Sequence, residues 1–211
     1  MTSIFSRVTR QFVRSRRLVL VVGLLLPLLG TSSFSVADDA TPTATVKTAV
    51  DKILGILRKP DYNFEKDRSS ISAEIRKAFD DVAMAQSVLS TNWKSINADQ
   101  QNTFKDLLSQ TVENNYIGRL KSYNNEKVEI RKEEVKDTLA TVDSVVVAKS
   151  GDIPVNYKLR KRKDGWFIYD VVVENVSMVS TYRDTYRPIF SKDGIDGLLK
   201  QMKAKIAELG G

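Results

Sequence analysis

The chain has 211 residues, a formal net charge of +7, and neither histidine nor cysteine. The missing residue types exclude the usual zinc and copper ligands, thiol nucleophiles, disulfides and Ser-His-Asp triads. Hydrophobic residues make up 42% of the chain, enough to build a core without disulfides. The chemistry that remains is that of carboxylates, Tyr and Lys, or none.

The first 37 residues predict a secretory signal peptide. Five arginines between Arg7 and Arg17 precede an apolar run from Leu18 to Leu29, and Ser35-Val36-Ala37 has the small residues that a signal peptidase recognises. This run is shorter than the ~20 apolar residues that span a bilayer. We expect cleavage after Ala37 and export to the periplasm, by either the general secretory or the twin-arginine route, leaving one domain over residues 38–211.

The net charge belongs mostly to this leader. After its removal 28 basic and 26 acidic residues remain, a net of +2. The charge of the whole chain is therefore no argument for nucleic-acid binding.

The first half of the mature chain is predicted to be helical, because apolar residues recur at three- and four-residue spacing. Thr41-Pro42 is typical of a helix start and Pro60 of a stop, while Asn97 with Gln100 forms a capping box. By their apolar positions, the predicted helices cover residues 46–57, 71–79, 82–89 and 104–120.

After Tyr123 the apolar period changes to two, which predicts strands near residues 128–130, 139–148, 153–160 and 166–173. Asp164-Gly165 predicts a tight turn between the last two. Closely spaced strands imply an antiparallel sheet with one apolar face. Helices at residues 178–190 and 195–206 follow; Pro188 is expected to interrupt the first, and Asp193-Gly194 to open the second. The pattern predicts a single α+β domain: a helical N-terminal half, a four-stranded antiparallel sheet and C-terminal helices.

Apolar side chains on this sheet are candidates for lining a cavity. Alternation places on one face Val128, Ile130, Val155, Tyr157 and Leu159. The last strand is apolar on both faces, so either Ile168 with Val172, or Phe167, Tyr169 and Val171, could join them. The predicted long helix could close the cavity with Tyr116. So could the aromatic stripe of the predicted C-terminal helix, whose residues recur every four positions: Met178, Tyr182, Tyr186 and Phe190. The same pattern also fits a solid core.

Polar candidates are few. None of the ten glycines belongs to a phosphate-binding loop motif, so nucleotide binding has no support. The basic cluster Arg160-Lys161-Arg162-Lys163 lies at the predicted hairpin turn, either as a docking surface or as a solvated turn. Asp170, in an otherwise apolar strand, either performs proton transfer in a pocket, or caps or bridges to Arg183 at the sheet end.

The segment Trp166-Phe167-Ile168-Tyr169-Asp170-Val171, with Glu174-Asn175-Val176-Ser177-Met178-Val179 and Tyr182-Arg183, resembles the MlaC family, the toluene-tolerance auxiliary proteins. Asn175 stands where the family pattern has Gly, which still suits a left-handed turn residue, and Tyr186 stands where it has Phe. Weaker matches that include Phe79-Asp80, Trp93 and Phe104 extend the resemblance over roughly residues 80–199.

The resemblance implies a periplasmic phospholipid carrier, not an enzyme, that works without a cofactor. It implies a cone-like fold similar to nuclear transport factor 2, in which a curved sheet and helices enclose acyl tails in an apolar cavity. The partners are then a phospholipid, an inner-membrane ABC complex with an MCE-domain protein, and an outer-membrane lipoprotein–porin complex. Such a carrier helps to maintain outer-membrane lipid asymmetry, and the direction of transport stays open. We expect a monomer with no nucleic-acid partner.

Two other function classes stay open at this point. One is an enzyme of the same fold that uses Asp170. The other is a chaperone-like binder of lipoproteins or peptides, for which a wider exposed apolar surface is expected.

Overall fold

A computed structural model describes residues 41–149 and 151–208. The predicted signal peptide lies outside these residues. Within them, no helix combines the length and the apolar character needed to cross a membrane. The same residues contain no cluster of acidic side chains suited to hold a metal ion.

Four helices precede the sheet, and their starts follow the capping signals of the sequence. They are α1 (Pro42–Leu57), α2 (Phe64–Ala78), α3 (Asp81–Leu89) and α4 (Ala98–Tyr116), with 3-10 helices at Ser90–Ser95 and Ile117–Ser122. Thr41 accepts a hydrogen bond from the amide of Ala44 at 3.1 Å. The predicted capping box of Asn97 and Gln100 is confirmed, since each side chain accepts from the other's amide.

The last helix, α5 (Met178–Glu208), contains a break at Gly194, where φ is 66° and ψ is −172°. The prediction of a break at Pro188 is wrong, because Pro188 lies inside the helix between the buried residues Tyr186 and Ile189. The buried neighbours on both sides keep the chain helical, although proline tends to end or kink a helix. Past the break, a Cβ at Gly197 would lie 2.4 Å from that of Asp193, so only glycine fits there.

The sheet is an antiparallel meander whose strands pair in sequence order. They are β1 (Lys127–Lys136), β2 (Leu139–Val147), β3 (Ile153–Arg162), β4 (Gly165–Val173) and β5 (Val176–Ser177). The four predicted strands are confirmed, and the two-residue β5 is an addition. Glu174 and Asn175 form the β4–β5 turn with φ of 49° and 65°, the left-handed backbone expected at Asn175.

Apolar side chains form two core clusters. The sheet cluster joins α1 to β2, β3 and β4, with Val46, Val142, Leu159 and Ile168 at most 2% exposed. The helical cluster is built from α3, α4 and α5. Phe79 and Val171 are only half-buried and pack against both clusters, so they mark the space between sheet and helices.

Candidate functional site

A β-bulge in β4 decides which of its side chains face the helices. The pairing of β3 with β4 shifts by one residue after Lys158, which leaves Tyr169 without a directly opposite partner. Paired residues share a face of a sheet. The face toward the helices, here called the inner face, therefore carries three pairs: Val155 with Val173, Tyr157 with Val171, and Leu159 with Ile168.

Val172 lies on the opposite, outer face, across from Asn156. The prediction that Ile168 and Val172 share a face is wrong. The alternate set is wrong as well, because its member Val171 shares the inner face with Ile168. An extra residue reverses the alternation from that point onward, and a strand that is apolar throughout gives no sign of where this happens.

Burial changes along the inner face. Beside the β1–β2 and β3–β4 turns, Val142, Leu159 and Ile168 are fully buried. Toward the β2–β3 turn, residues 148–152, most inner-face side chains are only half-buried. Those half-buried residues are Val128, Ile130, Val146, Ile153, Tyr157, Val171 and Val173. We call this part of the inner face the open end.

Helices carry a second group of half-buried apolar side chains, and among them Phe79 packs against both core clusters. Half-buried apolar side chains of α1, α4 and the end of α2 are Val50, Ile53, Ile75, Phe79, Val112 and Tyr116. A cavity of about 60 Å³ lies between α2, α3 and α4, and its apolar lining includes Ile75, Phe79, Met84, Val112 and Ile117. The open end and this cavity together form the candidate site.

The walls are mainly apolar, and the charged side chains that line the cavity are Arg76, Asp81 and Glu113. Burial raises the pKa of the Tyr157 phenol on the inner face, and a hydrogen bond with Ser144 opposes this only in part. Burial also raises the pKa of the Asp81 carboxyl, which lies at the cavity rim. Such a site suits an apolar ligand far better than an ionic one.

The sequence-predicted site residues divide into groups. At the open end the structure brings together Val128, Ile130, Tyr157 and, beside them and buried, Val155. Leu159 and Ile168 lie in the sheet cluster. Tyr116 is half-buried near the end of α4. Sequence reasoning missed Val146, since the apolar run of β2 hides which face each residue takes. It also left out Ile153, although the alternation of β3 places Ile153 on the same face as Val155.

The aromatic stripe of α5 belongs to the solid helical cluster. The ring of Tyr186 lies 6.0 Å from that of Phe104, nearly perpendicular, and 5.7 Å from that of Tyr182. The amide of Asn115 donates to the Tyr182 hydroxyl at 3.0 Å. Met178, Tyr182 and Tyr186 are at most 8% exposed, so the prediction that they line a cavity is replaced by core packing.

Asp170 holds the start of α5 and does not face the cavity. Its Oδ1 accepts from the amide of Val179 at 3.0 Å, and its Oδ2 accepts from Lys158 Nζ at 3.0 Å and Ser177 Oγ at 2.7 Å. The predicted bridge to Arg183 is wrong, because that guanidinium donates to the carbonyl of Ser87. With both oxygens engaged in the fold, Asp170 does not have the geometry of a pocket base.

The basic cluster Arg160-Lys161-Arg162-Lys163 ends β3 at the β3–β4 turn, opposite the open end. Two of its side chains lie over rings of β4: Lys161 Nζ is 5.8 Å from the Trp166 centroid, and the Arg162 guanidinium is 4.5 Å from that of Phe167. These two contribute to packing of the sheet edge as well as to its charge.

Comparison with known proteins identifies the family to which the chain belongs. The description "MlaC protein" belongs to the family whose profile matches residues 47–204. The intermembrane phospholipid transport system binding protein MlaC of Haemophilus influenzae is 26% identical over 180 residues, which cover 81% of this chain and 84% of that protein. A phospholipid-binding protein of Ralstonia solanacearum, solved in complex with a phospholipid, aligns with a TM-score of 0.73 and 26% identity over 80% of this chain and 98% of its own. With about three quarters of its length matched by the family profile, this chain belongs to the MlaC family.

Proposed function

We propose that the protein is a phospholipid carrier that holds acyl tails against the open end of its inner face. The observation that carries this proposal is the row of half-buried apolar side chains at the open end, which extends from the sheet cluster and meets the helical cluster at Val171. A solid domain usually has one contiguous core. The names of the Haemophilus and Ralstonia relatives, which concern phospholipid transport and binding, support the same function.

The free energy of such a ligand lies in its tails. Two acyl chains hold roughly 30 methylenes, and at ~0.8 kcal/mol each their exposure to water costs about 24 kcal/mol. A mainly apolar wall offsets this cost whatever the headgroup. We therefore expect diacyl phospholipids to bind with little headgroup selectivity.

The tail-binding residues proposed here are inner-face side chains at the open end and their helical neighbours. From the sequence prediction these are Val128, Ile130, Val155, Tyr157 and Tyr116. To these we add Val146, Ile153, Val171 and Val173, because they are half-buried on the same face. Leu159 and Ile168 form the closed floor of the site, and Val172 takes no part.

The remaining expectations complete the proposed function. A monomer exported to the periplasm exchanges lipid with an inner-membrane ABC complex carrying an MCE-domain protein and with an outer-membrane lipoprotein–porin complex. Release into water is excluded by the cost of exposing the tails, so lipid passes between docked proteins. The basic cluster steers these encounters toward acidic partner surfaces.

The chaperone-like alternative has less support. It calls for a wide exposed apolar surface. In the described part of the chain, the exposed large apolar side chains are Val82, Val135 and Leu139, which is a small set. The tails of a lipid also fit half-buried walls better than a folded lipoprotein does.

Native mass spectrometry of the protein, purified from the periplasm without refolding, tests the proposal. We expect one diacyl phospholipid per chain with the headgroup mixture of the source membrane. Bound peptide or lipoprotein in place of lipid would support the chaperone-like function. A chain without lipid would contradict the carrier function, and a single headgroup class would contradict binding by tails alone.

A further inference from the structure

The site needs more room than the cavity provides. Pockets for drug-sized ligands enclose about 300–1,000 Å³, whereas the cavity between α2, α3 and α4 measures about 60 Å³. For acyl tails to enter this cavity as well as the open end, some part of the cavity wall has to move. The contacts that hold α2 across the cavity and at its two ends indicate which part of the wall can move.

Two consecutive residues of α4 tie α2 across this cavity. Glu113 accepts from Ser72 Oγ and from Arg76 Nη2, each at 2.6 Å, and Asn114 accepts from Arg68 Nη2 at 2.7 Å. Three of the five residues, Ser72, Arg76 and Glu113, line the cavity. We call these five residues the α2–α4 clasp. It is polar, whereas the cavity behind it is mainly apolar, so opening it exposes hydrogen-bonding groups that water can satisfy.

The two ends of α2 are held differently. Just past its C-terminal end, Phe79 forms a bridge with Ile168, and the amide of Asp80 donates to the Ile168 carbonyl at 2.8 Å. At its N-terminal end, Glu65 pairs with Lys121 at 2.8 Å, but the two side chains are 72% and 56% exposed. Exposed pairs of this kind contribute about 0–1 kcal/mol. Lys121 Nζ also lies 4.4 Å from the centroid of the Phe64 ring, and Lys59 pairs with Asp67 at 3.6 Å. Because these contacts depend on exposed lysine side chains, the segment at Phe79 and Asp80 is the pivot, and the N-terminal end of α2 is the end that can move once the clasp opens.

We propose that the α2–α4 clasp is the gate of the lipid site, whose opening separates α2 from α4 and sets the rate of phospholipid exchange. This inference rests on the proposed carrier function. It assigns the gate to Glu113 in particular, since this one carboxylate accepts two of the three bonds.

A reversible crosslink tests the gate directly. Because the chain has no native cysteine, the double variant Ser72→Cys with Glu113→Cys can be joined by a short bifunctional methanethiosulfonate that dithiothreitol removes. The protein is loaded with pyrene-labelled phosphatidylethanolamine before crosslinking, and transfer to phosphatidylcholine vesicles is followed by fluorescence. We expect at least tenfold slower transfer when crosslinked and recovery after reduction.

Single substitutions complete the test. Glu113→Gln keeps the shape but weakens the clasp, so exchange should accelerate at least threefold. The matched control is Glu74→Gln, because Glu74 also pairs with two cations, Lys52 and Lys77, but all three lie on α1 and α2. We expect wild-type exchange for this control, with circular dichroism showing that both variants fold.

The possible failures are distinguishable. Wild-type exchange in the crosslinked protein, or equal acceleration by Glu74→Gln and Glu113→Gln, would overturn the gate while the carrier function stands. A wild-type protein that takes up no labelled lipid would overturn the carrier function and the gate with it.

Discussion

At the residue scale, the buried carboxylate of Asp170 joins three elements of the fold. Asp170 links β4 to β3 through Lys158 and to α5 through Ser177 and Val179. Its side chain is 2% exposed, whereas that of Lys158 is 40% exposed. The carboxylate therefore depends on three donors for its solvation, and losing it leaves those donors without their common acceptor.

Replacing Asp170 by alanine should lower the free energy of unfolding by about 2–4 kcal/mol, because hydrogen bonds to a buried charge are each worth roughly 1.5–3 kcal/mol and do not add fully. Urea denaturation measures this. Asp164→Ala is the control, since Asp164 is 59% exposed and pairs with Arg162, and it should change stability by less than about 1 kcal/mol. Equal losses in the two variants would contradict the structural role of Asp170.

Glu113 makes stability depend on pH. Burial works to raise the pKa of Glu113, but hydrogen bonds from Ser72 and Arg76 outweigh burial and hold that pKa below the ordinary 4.5. A lowered carboxyl pKa adds stability above the unfolded-state value, and this stability is lost as pH falls through the folded-state pKa. Wild type should therefore exceed Glu113→Gln by about 1 kcal/mol at pH 7. The gap should be fully present above the unfolded-state pKa and should close as pH falls through the lowered folded-state pKa. A gap independent of pH would be contrary to this assignment.

At the element scale, the sequence predicts features that depend on neighbouring residues, but it does not predict features that depend on tertiary packing. The capping box of Asn97 and Gln100 and the Asp164-Gly165 turn act within a few residues, so the sequence alone predicts them. The bulge at Tyr169 depends on how β3 and β4 align, and an apolar strand has no alternation to reveal it. Pro188 remains helical because its neighbours are buried, which no local rule includes.

The break in α5 gives a paired glycine prediction. Gly197→Ala should destabilise the protein by about 1–3 kcal/mol, because the new Cβ would overlap that of Asp193 at 2.4 Å. At Gly55, on the exposed side of α1, an added Cβ would meet no other atom within 4 Å, so Gly55→Ala should stabilise by about 0.5–1 kcal/mol. Thermal unfolding of the two variants checks both signs. Unchanged stability in Gly197→Ala would contradict the prediction and would show that the backbone past the break can make room for the new Cβ.

At the scale of the whole molecule, the sheet separates two ends. The open end lies toward the β2–β3 turn, and the basic cluster lies at the β3–β4 turn. Between Val155 and Arg162 the seven residue steps of β3 span about 24 Å at ~3.4 Å each. In the proposed function, the basic cluster can therefore orient a partner while lipid passes at the open end. Which end of the sheet is closed could not be predicted from the sequence, because the sheet cluster that closes it combines residues of α1, β2 and β4.

Replacing all four basic cluster residues by Gln should slow lipid transfer between reconstituted partner complexes and weaken its salt dependence, while lipid retention stays intact. The double variant Arg160→Gln with Lys163→Gln leaves in place the two side chains that lie over rings, Lys161 and Arg162. It therefore tests the charge of the cluster without disturbing the packing, and it should retain most of this effect. Lys200→Gln with Lys203→Gln, exposed on α5, removes the same charge elsewhere and should transfer normally. Unchanged transfer at low ionic strength by the fourfold variant would reduce the cluster to a solvated turn.

The central claim is that acyl tails lie against the inner face at the open end, and a pair of charged substitutions tests it most directly. Val128 and Val172 are both half-buried strand residues, but they lie on opposite faces of the sheet. An unpaired carboxylate facing acyl chains costs several kcal/mol or becomes protonated. Phospholipid phosphorus per chain should therefore fall close to zero in folded Val128→Glu and stay near one in folded Val172→Glu. Full lipid content in Val128→Glu together with loss in Val172→Glu would place the lipid on the other face and contradict the account.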